Sequence, residues 1–312
     1  MLASTSPFRD PTAMQATTLS RKTDLGLSQA RLVGDPTQGP DPWLAIHPIG
    51  VGLSSAFWDR FLEAGSRRNW PGAVLLPDLL GCGASSCPRL PLTPRQWAEP
   101  LALHLRGDLQ RPSLLLVQGA SLPIALELQR LEPELVSGLV LFGPPAWRVM
   151  SQPMPERLAR LLWNGWFSGP LGALFYRWAR RRAFLSSFSE RQLFARPDDV
   201  DDAWLAMLEQ GAADMETRWA VFAFLAGFWR GDYVPQMTSL NTPVLALFGE
   251  EASAISRRGR RESLEEKAAF YEERLPGAVS RLLPGRNVLP WESASASLDA
   301  VTAWLSERRQ ST

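Results

Sequence analysis

Lysine is nearly absent from this 312-residue chain: Lys22 and Lys267 are the only two among its 33 basic residues, and the rest are arginine. Such a bias can serve phosphate recognition, but scattered arginine is the ordinary mark of genome base composition, which is the reading adopted. An excess of either charge is lacking too. With 32 acidic residues the net charge is +1, which gives no reason to expect nucleic acid or a strongly anionic partner. The two cysteines, Cys82 and Cys87, share one loop. They are too few for a disulfide framework or a metal site, and they suit a reducing cytoplasm. Histidine is as scarce. His47 and His104 are the only two, so any mechanism that needs an imidazole can be checked residue by residue. No apolar run approaches the length of a membrane span. Residues 1–22, rich in Ser, Thr and Ala, have no continuous apolar core, which excludes an ordinary secretory signal. They are expected to form a disordered tail, a transit-like extension or a leader before a true start at Met14. Neither a phosphate-cradling glycine loop nor a cluster of metal ligands is present, so no cofactor and no metal are expected.

What is present is an apolar fraction of 45% and a charged fraction of 21%, the balance of a soluble globular protein. Short apolar runs at Trp43–Ile49, Ala73–Leu76, Ser113–Val117 and Val136–Phe142 alternate with helix-length segments. Strands that are apolar on both faces and alternate with helices predict an α/β fold, a mostly parallel sheet wrapped by helices. Residues 26–34 could add an antiparallel edge hairpin. From about Trp147 to Met237 no strand is evident, only helical segments crowded with aromatics such as Trp163, Trp166, Trp219 and Trp229. The strand rhythm resumes at Pro243–Phe248 and Val279–Leu283, and a helix over Ala296–Glu307 closes the chain. The expected domains are a core of 23–146 and 238–312, with a helical cap of 147–237 inserted after the fourth clear strand.

The third clear strand runs into Gly119-Ala120-Ser121-Leu122-Pro123, close to the G-x-S-x-G turn that lifts a nucleophilic serine above a sheet. His47-Pro48-Ile49-Gly50 ends the first clear strand and Pro77-Asp78-Leu79-Leu80-Gly81 follows the second. Phe248-Gly249-Glu250-Glu251 and Pro284-Gly285-Arg286-Asn287 end the last two. In this order the segments resemble the α/β-hydrolase superfamily with a helical cap, over roughly residues 25–308. Several loops also look like a branch of that superfamily found in cyanobacteria. The resemblance implies a serine-type ester or amide hydrolase acting on a small apolar substrate. Ser121 would be the nucleophile, and the backbone N–H groups of Leu122 and of Ile49 or Gly50 would form the oxyanion hole.

The same resemblance exposes two gaps. The superfamily's acid falls at Ala252, so Glu250 or Glu251 would have to serve displaced, and a solvated acidic turn is the preferred reading of both. The catalytic histidine falls at Asn287. An amide accepts no proton near neutral pH, so Asn287 is no general base and at most holds a water or the substrate. His47 is expected to bond backbone, and His104 lies mid-helix, away from Ser121. The alternative role for Ser121 is a helix N-cap. Two functions follow: a hydrolase with severely impaired conventional activity, or a catalytically inactive pseudoenzyme that binds an apolar ligand or a protein partner. Arg177, Arg180, Arg181 and Arg182, beside Trp178 and Phe184, admit contact with an anionic membrane. A solvated helix face is the preferred account of that cluster.

Overall fold

A computed structural model describes residues 16–68, 70, 72–253 and 262–310. Its centre is an eight-stranded sheet in the order β1-β2-β4-β3-β5-β6-β7-β8. The strands are β1 (Ala16–Thr23), β2 (Gly26–Val33), β3 (Trp43–Ile46), β4 (Val74–Pro77), β5 (Ser113–Gln118), β6 (Val136–Phe142), β7 (Val244–Gly249) and β8 (Val279–Leu283). From β3 to β8 the pairing is parallel, while β2 runs antiparallel to both β1 and β4. Every residue of β3, β4, β5 and β7 is buried, because helices cover both faces.

The core helices are α1 (Asp59–Arg67), α2 (Pro94–His104) and α3 (Leu122–Leu131) before the cap, then α11 (Leu264–Arg274), α12 (Leu289–Glu292) and α13 (Ala294–Gln310) after it. Thr93 and Gln96 form a reciprocal capping box at the start of α2. Between β6 and β7 the described chain has no strand and carries seven helices, labelled the cap below for their position in the chain: α4 (Trp147–Met150), α5 (Glu156–Leu162), α6 (Pro170–Ala179), α7 (Arg182–Gln192), α8 (Asp202–Gly211), α9 (Arg218–Ala226) and α10 (Val234–Thr238), joined by short turns and loops.

One expectation needs correction. Residues 16–22 are not part of a tail; they form most of strand β1, paired residue for residue with β2. Only Leu19 in that strand is a large apolar residue, and it packs on the core. An edge strand with a solvent face needs little more, so its sequence carries no apolar run. Arg21 ties β1 to the helical turn after α2 through Asp108 (Nε to Oδ2, 3.1 Å). Residues 1–15, Met14 among them, lie outside the described residues.

Candidate active site

Strand order reverses between β4 and β5, on either side of β3, and loops at the carboxyl ends of such strands are where α/β sheets build sites. His47, at the end of β3, joins all three loops. Its Nε2 accepts the Leu79 N–H (3.0 Å) from the loop after β4. The proton therefore sits on Nδ1, which donates to the Pro48 carbonyl at 2.8 Å. The imidazole is fully buried, and that burial holds its pKa below the ordinary value against the opposing pull of Asp78 and the Pro48 carbonyl. Asp78 is the second fastener: Oδ1 accepts from Ser55 N at 2.7 Å and Oδ2 from Ala84 N at 2.8 Å. Gly83, with φ +53°, makes room for that carboxylate, since a Cβ there would lie 2.2 Å from Oδ2.

The turn after β5 distributes its residues differently from the motif. Gly119 follows the strand directly and has φ +56°, the left-handed conformation of a sharp corner. Ser121 lies two residues further on at φ −82° and ψ −1°, already in right-handed helical geometry. It is 1% exposed, and its hydroxyl donates to the His47 carbonyl at 2.8 Å. It makes no N-cap bond, so the helix-cap alternative is not adopted either. The Leu122 N–H, expected as an oxyanion donor, is engaged by the Gly119 carbonyl within the turn. Pro123 stands at the second position of α3, where its missing N–H costs no helical bond. Ile49 is buried in the core, and the Gly50 carbonyl closes a turn by accepting from Leu53 N at 3.2 Å.

In the loop after β8, Asn287 acts as a clamp. Its Nδ2 donates to the carbonyls of Gln192 (2.7 Å), at the end of cap helix α7, and Ser253 (3.0 Å), in the loop after β7. Its backbone N–H donates to Leu193 O at 3.0 Å, and its carbonyl accepts from Gln118 Nε2 at 2.7 Å. Both amide hydrogens are thus committed to protein carbonyls, and neither bonds Ser121. Glu250 and Glu251 are exposed, their backbone N–H groups bonded to Leu283 O and Gly285 O. The half-buried carboxylate nearby is Glu292. It accepts from Ala195 N (2.6 Å) and Arg286 N (2.7 Å), and burial raises its pKa. His104 is remote: its ring bonds Asp108 Oδ2 at 2.7 Å and Ser28 Oγ at 3.1 Å.

No protein-family model matches the chain, and no curated protein matches it. Solved structures do. A thermophilic esterase from Thermogutta terrifontis superposes with a TM-score of 0.68 at 19% identity, covering 94% of this chain and 98% of its own. The enol-lactonase from Burkholderia xenovorans gives 0.67 at 19% identity, covering 92% and 100%. The epoxide hydrolase CorEH gives 0.69 at 15% identity, covering 94% and 99%. The chain has the α/β-hydrolase fold.

Within this α/β-hydrolase fold the cap is pressed onto the loops that surround the elbow. Gly52, at φ +78° in the loop after β3, lies so close to α8 that a Cβ there would sit 2.0 Å from Leu208 O. A Cβ on Gly211 of α8 would in turn meet Gly52 O at 2.1 Å. Gly81, after β4, meets α9 in the same way, 2.5 Å from Ala220 Cβ. Cap aromatics complete the seal: Phe167 stacks on Phe222 at 4.9 Å, and Trp163, Tyr176 and Trp219 join Ile49, Leu79 and Leu122 in one buried cluster. A cavity of about 470 Å³ opens beside the Asn287 clamp, lined by Gln192, Ser253, Lys267 and Arg286 but by neither Gly119 nor Ser121.

Sequence reasoning named Gly119 only as the first residue of the motif and did not single out Gln118, Gln192 or Ser253. The signal for Gly119 was the strand end. The corner must follow the last strand residue directly, and a motif match two residues later overlooks it.

Proposed function

We propose that this chain is a catalytically silent protein of the α/β-hydrolase fold that works by binding rather than by turnover. The observation that carries the reading is Gly119. In this fold the strained corner between strand and helix is what presents a nucleophile, and here the strained residue has no side chain. A Cβ at Gly119 would meet no atom nearer than Gly143 O at 3.9 Å, so space for a side chain exists and is unused.

The surrounding residues support the same reading. Among the described residues the only partner of the Ser121 hydroxyl is a backbone carbonyl, which takes no proton. Asn287 stands where the resemblance puts the base, with its amide hydrogens committed elsewhere. Glu250 and Glu251 are exposed and orient no imidazole. Without a base a serine hydroxyl is a poor nucleophile.

The test is hydrolysis of p-nitrophenyl esters from acetate to decanoate by wild-type protein and by Ser121→Ala, with folding of both checked by circular dichroism. The expected result is one rate for both proteins, equal to the protein-free background. A wild-type rate well above that of Ser121→Ala would overturn the proposal in favour of a hydrolase with an unrecognised base.

A further inference from the structure

The cap turns an apolar face outward. Helices α5 and α6 and the turn between them expose six large apolar side chains: Leu158, Leu161, Trp166, Leu171, Leu174 and Trp178. Leu161 is 67% exposed and Leu174 65%. Single exposed leucines are ordinary, but six large apolar side chains on two consecutive helices and the turn that joins them form a patch. Leu171, Leu174 and Trp178 fall on one stripe of α6 at helical spacing, while Gly172, Tyr176 and Ala179 bury the opposite side. A Cβ on Gly172 would lie 2.2 Å from Phe167 O, so α6 packs backbone to backbone on the turn that ends α5. One packed unit therefore holds both stripes. Trp178 also lies 4.4 Å, ring to ring, from Phe184 of α7.

The charge on this unit is one-sided. Residues 152–182 contain six arginines and a single acid, Glu156. Glu156 pairs with Arg160 at 2.7 Å. Arg180 donates to the carbonyls of Ala212 and Ala213, and Arg182 pairs with Asp202 and Glu209. Arg157, Arg177 and Arg181 are exposed and have no ion pair among the described residues. No helix among the described residues is long and apolar enough to cross a membrane. Leucine and tryptophan beside unpaired arginine is instead the composition of helices that lie in the plane of a bilayer interface, with indole rings at headgroup level and guanidinium groups on lipid phosphate. A second copy docked on this face would bring its own uncompensated arginines with it.

We propose that the α5–α6 face of the cap adsorbs this protein to an anionic lipid bilayer. Leu161, Leu171, Leu174, Trp166 and Trp178 enter the headgroup layer, and Arg157, Arg177 and Arg181 contact lipid phosphates. The inference rests on the cap surface alone and holds whether or not the elbow turns over an ester.

The test is vesicle flotation of the full chain with two compositions: seven parts phosphatidylcholine to three parts phosphatidylglycerol, and phosphatidylcholine alone. The protein is expected to float with the first and stay behind with the second, and molar salt is expected to weaken binding. Leu171→Glu with Leu174→Glu should lower binding by at least about tenfold, with an unchanged circular dichroism spectrum. Arg177→Glu with Arg181→Glu should do the same most clearly at low salt. Failure to float with the anionic vesicles overturns the proposal, and so does flotation that the leucine pair leaves unchanged. A dimer that Leu174→Glu splits, with no vesicle binding by the wild type, would assign the face to a second copy instead.

Discussion

Replacing Asn287 separates a structural clamp from a vestige of a lost catalytic residue. In the structure its amide hydrogens hold Gln192 O at 2.7 Å and Ser253 O at 3.0 Å, joining the cap to the loop after β7. Asn287→Ala removes both bonds, while the backbone bond to Leu193 O survives. Each bond contributes about 1 kcal/mol net, and both carbonyls sit in partly buried surroundings, so the loss should be about 2 kcal/mol. Asn287→Asp should cost more than alanine: it sets an acceptor-only carboxylate against two carbonyl oxygens, and repulsion is added to the lost bonds. Asn287→His should fall nearer alanine, because a neutral imidazole has one N–H for two acceptors, and it should confer no ester hydrolysis. Urea denaturation read by tryptophan fluorescence supplies the numbers, with exposed Glu251→Gln as a control expected within about 0.5 kcal/mol of wild type. Alanine and aspartate variants that match wild type within about 0.5 kcal/mol would refute the clamp.

Two further perturbations probe the closed cap and the buried histidines. Gly52→Ala combines a left-handed backbone with a Cβ 2.0 Å from Leu208 O, and should cost about 3 kcal/mol or detach the cap from the loop after β3. Limited proteolysis within 182–211 should rise with it, and a variant as stable and as resistant as wild type would contradict the packing. His47 and His104 are both held below their unfolded value of 6.5, chiefly by burial. Below that pH the unfolded chain therefore binds protons that the folded chain refuses, and stability should fall as pH drops from about 7.5 to about 5.5. The urea midpoint should follow, and His104→Gln should flatten the slope; a midpoint independent of pH across that window would contradict the burial argument.

The sheet from β3 to β7 was legible because parallel strands covered on both faces must be apolar runs, and loops with glycine or proline marked their ends; β8, a half-exposed edge strand, was legible from its position in that rhythm. The helical insert was legible for the opposite reason: aromatic segments too long for strands. β1 was hidden, since an edge strand with one large apolar residue looks like a polar tail. The register of the turn after β5 was not legible from the motif. Ser121 matches a motif, but the corner is fixed by where β5 stops, and Gln118 is still a strand residue. Asn287 stood out in the sequence only for what an amide cannot do, accept a proton near neutral pH. Its structural work stayed invisible because Gln192 and Ser253 are distant in sequence and contribute backbone carbonyls, which leave no signature in residue type. The outward face of α5 and α6 was equally hidden. Helical spacing gives an apolar stripe, and only packing decides whether that stripe faces the sheet or the solvent.

The most direct measurement of catalytic silence is intact-mass analysis after treatment with a fluorophosphonate probe, which reports an activated serine without knowledge of a substrate. Wild-type protein and Ser121→Ala are both expected to retain their unmodified masses, because the only serine at the elbow is buried and donates to the His47 carbonyl. A covalent adduct on the wild type that disappears in Ser121→Ala would show an activated nucleophile and contradict the account.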